Sequence, residues 1–231
     1  PDSSLVLSQL LRELSSGHVS QDEDLRQAWR QAGFVSLWFF LRHICSYGGP
    51  YGELNDTLHV DMCNFRQMCL KEGIRAGMYI PRSHFKTTIV TEGGSAWELL
   101  RNPNLAIRIS NAIADFAHGF KLSIKAIYDS NDLIKWLYGQ KDLDGESWVP
   151  ESDENWNRST LIMPNRSKHR REHSIESGGA TGAAESHHFD LHIADDLIGM
   201  AALDGMRRTS ALMHHTKNWF WANEDTLLTT P

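Results

Sequence analysis

Apolar side chains recur at helical spacing through the first fifth of the chain, then give way to short apolar runs separated by longer helical periods. Leu5, Leu7, Leu10, Leu11 and Leu14 share one broad face and predict a helix over residues 3–15, stopped by Gly17. A second helix opens at Ser20 or Gln21, with Asp22, Glu23 and Asp24 in its first turn, where negative charge suits the dipole, and closes at Gly33. Residues 35–44 predict a third, strongly apolar helix. The breaker cluster at 47–52, Tyr-Gly-Gly-Pro-Tyr-Gly, marks a boundary, so residues 1–54 read as an N-terminal helical segment or lid.

From residue 55 onward, helical and strand-like patterns alternate. A helix over 58–72 ends at Gly73 and leads into a strand at 76–81. A helix over 87–100 contains Gly93 and Gly94, each costing about 1 kcal/mol, which predicts close packing against a neighbour. A strand at 105–110 is followed by a long helix capped by Asn111 and running through Ile127, then a helix from Ser130 to Gly139 and a polar loop over 140–157. Two strands, 157–163 and 173–177, flank the chain's one basic cluster, at 164–171. After a glycine-rich turn at 177–182, a strand over 189–194 ends in Asp195-Asp196. A helix at about 201–215 and a strand at 226–230 complete the pattern. This alternation predicts an α/β fold with a mostly parallel sheet covered by helices on both faces.

Composition narrows the picture. At 231 residues, with 41% hydrophobic side chains and eight Trp, the chain can bury a sizeable core. The net charge of -6 gives no overall attraction to nucleic acid, so any such contact must be a local patch. Cys45, Cys63 and Cys69 are odd in number and lack CxxC spacing, which fits a reducing compartment. No signal peptide is visible, and the apolar run at 34–44 is too short to span a bilayer and carries Arg42 and His43. The chain starts at Pro1 and stops directly after an apolar run, and reads as a piece of a longer protein.

Candidate chemistry centres on Pro81-Arg82-Ser83-His84-Phe85-Lys86-Thr87-Thr88. A strand, a polar turn, Lys-Thr and then a helix is the order a nucleotide-phosphate site requires: loop N–H groups and the helix start face the phosphates, Lys86 reaches the β- and γ-phosphates, and the Thr87 hydroxyl ligates Mg²⁺. The spelling departs from G-x-x-x-x-G-K-[ST], with Ile80 and Phe85 where the glycines would stand. Gln67, with His59 upstream, is a polar group of the sort that reads an adenine edge, although a solvated helix face is the simpler reading of both. Asp195 and Asp196 at a strand end form a Walker B-like pair: Asp195 for the metal, Asp196 to orient or deprotonate the attacking water. Thr229 and Thr230 supply hydroxyls at the end of the last strand.

In this order the three signals resemble the ATPase domain of the large terminase subunit, the motor that packages DNA into tailed-bacteriophage capsids. The loop with Arg82 just inside it is similar to that family's variant Walker A. Ser110-Asn111, the helix behind it, Asn131 before Leu133, and Leu228-Thr-Thr-Pro231 are similar to further family features. The resemblance covers about residues 55–231. It implies a P-loop NTPase of the branch with an additional catalytic acid, ATP and Mg²⁺ as cofactors, and the 226–230 strand lying between those of Lys86 and Asp195. It further implies hydrolysis coupled to translocation of double-stranded DNA, a homo-oligomeric ring on a portal protein (a monomer in isolation), a small terminase subunit as partner, a location in the host cytoplasm, and a nuclease domain after Pro231, so no cleavage by this chain itself.

Ring ATPases complete their sites with an Arg from the neighbouring subunit, for which Arg158, Arg166, Arg170 and Arg171 are candidates. The same cluster suits DNA phosphates or a solvated hairpin tip. Arg82 is placed to sense the γ-phosphate within its own subunit. One alternative keeps the fold and changes the role, a helicase-like or other nucleic-acid-dependent ATPase; a third class is a non-hydrolysing nucleotide-binding or docking module. A remote alternative is a zinc protease, since His169-Arg-Arg-Glu172-His173 spells H-x-x-E-H, which on a helix would put both His on one face.

Overall fold

The computed structural model describes residues 23–47, 54–139, 147–151, 154–179 and 187–197, with residues 214, 217 and 218. The expected helices at 3–15 and 201–215 (apart from those last three residues), the turn at 180–182 and the strand at 226–230 with Thr229 and Thr230 lie outside the described residues. Helix α1 (Glu23–Val35) is followed by the short α2 (Leu37–Phe39), which widens into a π-helical turn, Phe40–Ile44. Then come α3 (Leu58–Lys71), a second π-helical segment (Thr87–Glu92) that narrows into α4 (Gly93–Arg101), β1 (Ile107–Asn111), α5 (Ala114–Ser130), α6 (Asp132–Tyr138), β2 (Ile175–Gly179) and β3 (Leu191–Ala194). The described strands form one parallel sheet in the order β2-β1-β3, so the chain has an α/β architecture.

Register places Ile107, Ile175 and Leu191 side by side, with Ile109 beside Ile193, so one face of the sheet is apolar. Helix α5 packs against β1 and β2. The same buried cluster takes in Trp29, Leu37, Phe40 and Ile44 from the N-terminal helices. Polar handles on large aromatics tie the helices together: Trp97 Nε1 on α4 donates to the Gly33 carbonyl of α1 at 2.7 Å and the Tyr128 hydroxyl on α5 to the Ala96 carbonyl of α4 at 2.6 Å. No helix among the described residues is long and apolar enough to cross a membrane.

Local chemistry explains several boundaries. Gly73 has φ +65°, and Ile74 N–H bonds the Cys69 carbonyl while Gly73 N–H bonds that of Leu70, a Schellman ending for α3. The Asn131 side chain accepts from Ile134 N–H at 2.9 Å and so caps α6 one residue later than the expected Ser130 start. Gly33 does not end α1. It lies within the helix, where a Cβ would come 2.2 Å from the Tyr138 hydroxyl, so it serves close approach instead.

Two expected strands are not formed. Residues 76–81 are irregular. Met78 and Ile80 lean on the core while Tyr79 is 96% exposed, so burial alternates as in a strand. The neighbour assigned to this run by sequence is the 226–230 segment, and no described strand pairs with it. Residues 157–163 contribute a single antiparallel bridge, Trp156 with Leu161, because Asn157 folds its side chain onto the N–H groups of Ser159 and Thr160 and makes a turn.

The glycine pair shows the expected close packing. A Cβ on Gly93 would lie 2.2 Å from Leu41 Cδ2, and one on Gly94 would lie 2.4 Å from the Ile89 carbonyl oxygen and 2.5 Å from Arg66 Nε. Gly94→Ala should therefore cost about 2 kcal/mol or more, since backbone and a buried guanidinium must both move, outweighing the roughly 1 kcal/mol that Ala gains as a helix former. Urea unfolding should show a lower midpoint at unchanged slope. A wild-type midpoint would disprove the close approach.

Candidate functional site

The C-terminal ends of parallel strands are where open α/β sheets bind ligands. Pairing of β1 with β3 continues past Ala194: Asp195 N–H bonds the Ser110 carbonyl at 2.9 Å, and Ala112 N–H bonds the Asp196 carbonyl at 3.2 Å. Asn111 fastens this edge, its amide donating to the Asp195 carbonyl at 2.8 Å and its carbonyl oxygen accepting from Ile113 N–H. Asn111 is thus the strand's last residue and a turn-former, and α5 begins two residues later than expected.

Lys86 reaches this edge from the loop that precedes the π-helical segment. Its ammonium donates to Asp196 Oδ1 at 2.9 Å and lies 3.6 Å from Asp195 Oδ1, across 110 positions of sequence. Asp195 is buried, with a side chain 5% exposed; that of Asp196 is 68% exposed. The hydrogen bond to Asp196, reinforced by the charge of Asp195, holds the Lys86 pKa above its ordinary value against the opposing effect of burial.

The loop itself is strained where glycines would sit most easily. Ser83 has φ 64° and Phe85, standing at the second glycine position of the usual motif, has φ 52°. Left-handed backbone costs a non-glycine residue roughly 1–2 kcal/mol. The Phe85 ring recovers contact by meeting His59 edge-on at 5.5 Å. Pro81, Arg82, Ser83 and His84 are exposed, with His84 Nδ1 donating to the Arg82 carbonyl at 2.8 Å; Thr87 and Thr88 are half-buried at the helix start.

Two groups at the site, Thr91 and Glu92, were missed by the sequence reading, and a third, Asn111, was noted without this role. Thr91, buried one turn beyond Thr87, donates to Asp195 Oδ2 at 2.9 Å. Glu92 hydrogen-bonds Ser123 on α5; burial, with a smaller contribution from the Asp195 charge, raises its pKa although Ser123 pulls the other way. Asn111 was read as a helix cap. A polar doublet at a strand end was the available signal for it, whereas nothing in the 100° helical period points to Thr91.

Other candidates lie elsewhere or are engaged. The Gln67 amide accepts from Leu37 N–H at 2.9 Å and donates to the Val35 carbonyl at 3.0 Å, bridging the break between α1 and α2. It holds helices together rather than presenting a base-reading edge. Arg170 pairs with Asp190 and, at 3.5 Å, with Glu172, and donates to the His188 carbonyl at 2.8 Å. Arg166 donates to the Glu172 carbonyl at 2.6 Å. These two are therefore internal braces at the N-terminal edge of the sheet, about 15 Å of strand from Asp195, while Arg158 and Arg171 are exposed. Residues 169–173 are not helical, and Glu172 accepts from His188 N–H at 2.9 Å, so the zinc spelling lacks the helix it requires. No group of three or more His, Cys, Asp or Glu among the described residues is disposed to hold a metal ion by itself.

No protein-family model matches the chain, and no curated protein matches it either.

On the strand that delivers Asp195, His192 Nε2 shares a hydrogen bond with Ser110 Oγ at 3.0 Å, and burial, assisted by the Arg108 charge, pushes the His192 pKa down from 6.5 to about 4. A folded pKa below the unfolded one means the unfolded chain takes up the proton first. This residue's contribution is therefore complete above about pH 6.5, is lost as pH falls toward 4, and then levels off. The unfolding free energy from urea titrations across pH 7 to 4 should fall less steeply in His192→Gln than in wild type, by up to about 3 kcal/mol. Parallel profiles would show that His192 is not desolvated.

Proposed function

We propose that this chain is a P-loop ATPase, and that the ATPase domain of a phage large terminase is the role its motifs fit best. The observation that carries the reading is the meeting of Lys86 with Asp195 and Asp196 at the C-terminal edge of a parallel sheet. The loop, the helix start with Thr87 and Thr88, and the acid pair supply hard oxygen donors and one cation, a set that suits Mg²⁺ carried by phosphates rather than a protein-built cage. Two carboxylates against one ammonium leave the site net negative, so a bare triphosphate is repelled strongly, while its Mg²⁺ complex is repelled less and brings a cation that the carboxylates can ligate.

Thr87 and Asp195 would hold Mg²⁺, which supplies charge neutralisation of the phosphates. Lys86 exchanges Asp196 for phosphate oxygens. The exchange is easy, because an exposed ion pair is worth about 1 kcal/mol or less. Asp196, released, orients water and takes its proton. Arg82, exposed on the loop, would approach the γ-phosphate. Motif order in the sequence supports the further role: translocation of double-stranded DNA by a ring of subunits docked on a portal, with a small terminase subunit as partner, in the host cytoplasm. An exposed Arg158 or Arg171 remains suited to a neighbouring subunit's site.

ATP with Mg²⁺ at a hundred times Kd should stabilise the chain by about 2.7 kcal/mol in thermal unfolding, and ATP with EDTA should not. Lys86→Ala should abolish the shift. Asp196→Asn should keep it while lowering turnover in assembled particles about 10²–10⁴-fold. A wild-type chain indifferent to Mg²⁺–ATP, or a shift surviving in Lys86→Ala, overturns the assignment.

A further inference from the structure

Lys86 and Thr91 both touch Asp195, yet in an α-helix residues five apart point about 140° away from each other. The segment between them is not α-helical. Thr87–Glu92 is π-wound, with Gly93 N–H bonded to the Thr88 carbonyl five residues back. Wider turns bring residues five apart closer to one face than an α-helix does, and the Thr91 hydroxyl meets Asp195 Oδ2 at 2.9 Å while Asp195 Oδ1 stays turned toward Lys86 at 3.6 Å.

The wide turn is held from outside. A side chain from another helix reaches it: Arg66 of α3 donates Nε to the Val90 carbonyl at 3.2 Å. The Arg66 guanidinium is buried and lies 3.5 Å from Glu98 on α4. Gly94 makes room for both the Arg66 guanidinium and the Ile89 carbonyl, five residues back, where any Cβ would clash. Single π turns inside α-helices occur frequently at functional sites.

We infer that Thr91 is a positioning residue for Asp195, fixing one carboxylate oxygen so that the other faces the cation site, and that Arg66 holds the π-wound segment in the form that delivers it. The inference rests on the proposed Mg²⁺–ATP site. Partners that orient a metal-binding carboxylate typically account for about 10–100-fold in metal affinity.

The experiment titrates Mg²⁺ at fixed ATP and reads the midpoint of the thermal shift in the 231-residue chain. Thr91→Val, which keeps shape and removes the hydroxyl, should move the Mg²⁺ midpoint up about 10–100-fold, and Thr91→Ser should restore it. A role confined to packing would lower the melting temperature of Thr91→Val without moving that midpoint, and this result overturns the inference. Thr91→Cys, compact and a poor donor, replaces Thr91→Val in the same test if the latter does not fold. Arg66→Lys keeps the charge beside Glu98 but loses the planar donor, and should shift the midpoint several-fold the same way; an unchanged midpoint removes Arg66 from the device. Lys86→Ala separates the two claims. If it retains the full shift, the ATP reading fails; if it loses the shift while Thr91→Val matches wild type, only the present inference fails.

Discussion

A buried carboxylate and an exposed one share a single ammonium at the end of β3, and the two halves of that contact differ in kind. Asp195 is fixed by backbone pairing to Ser110, by Asn111 at its carbonyl and by Thr91 at its side chain, so its charge is placed whether or not Lys86 is near. Asp196 is mostly open to water, and its hydrogen bond to Lys86 is screened. The buried half therefore sets the geometry, and the exposed half is the part that exchanges. Lysine and acids come from distant parts of the sequence, so the contact exists only if β1 and β3 are in register and the loop before Thr87 adopts its left-handed turns.

The packing around this contact ties the N-terminal helices to it. Arg66 on α3 reaches into the junction where the π-wound segment becomes α4, and Leu41 from the Phe40–Ile44 turn fills the space left by Gly93. Trp97 on α4 donates back to Gly33 in α1. A shift of α1–α3 would therefore be felt at Thr91 and Lys86 through side chains that cannot be accommodated elsewhere. An interior at crystal-like density transmits such displacements instead of absorbing them.

What the sequence displays most clearly is whatever is decided locally. Gly73 ends α3, the apolar runs of β1 and β3 lie where their composition puts them, and the Asp195-Asp196 doublet stands at its strand end, because turn chemistry and hydrophobic period act over a few residues. Lys86 and the acids were readable as a pair through motif order alone. Long-range choices were not readable. Residues 76–81 carry a strand pattern but need a partner, Gln67 looks like a surface amide until the Ser36 break it bridges is known, and Arg170 looks like a free cation until Asp190 folds beside it. Thr91 was hidden for a different reason. Its alignment with Lys86 depends on a helix period that sequence analysis does not assume.

Backbone strain is concentrated at the same place. Among the described residues four non-glycine positions have positive φ, and three of them, Ser83, Phe85 and Asp196, lie in the loop and acid pair that form this contact. Such conformations cost of order 1–3 kcal/mol each and persist only where surrounding structure over-determines them. At Asp196 the surrounding constraint is visible: its carbonyl accepts from Ala112 N–H and its neighbour's carbonyl is held by Asn111, so the chain turns sharply and throws the carboxylate out toward Lys86. A relaxed turn there would leave Asp195 in place and carry Asp196 away. The strained turn, more than the mere adjacency of two acids in sequence, is what puts one carboxylate in the core and the next in water while keeping both within reach of one lysine.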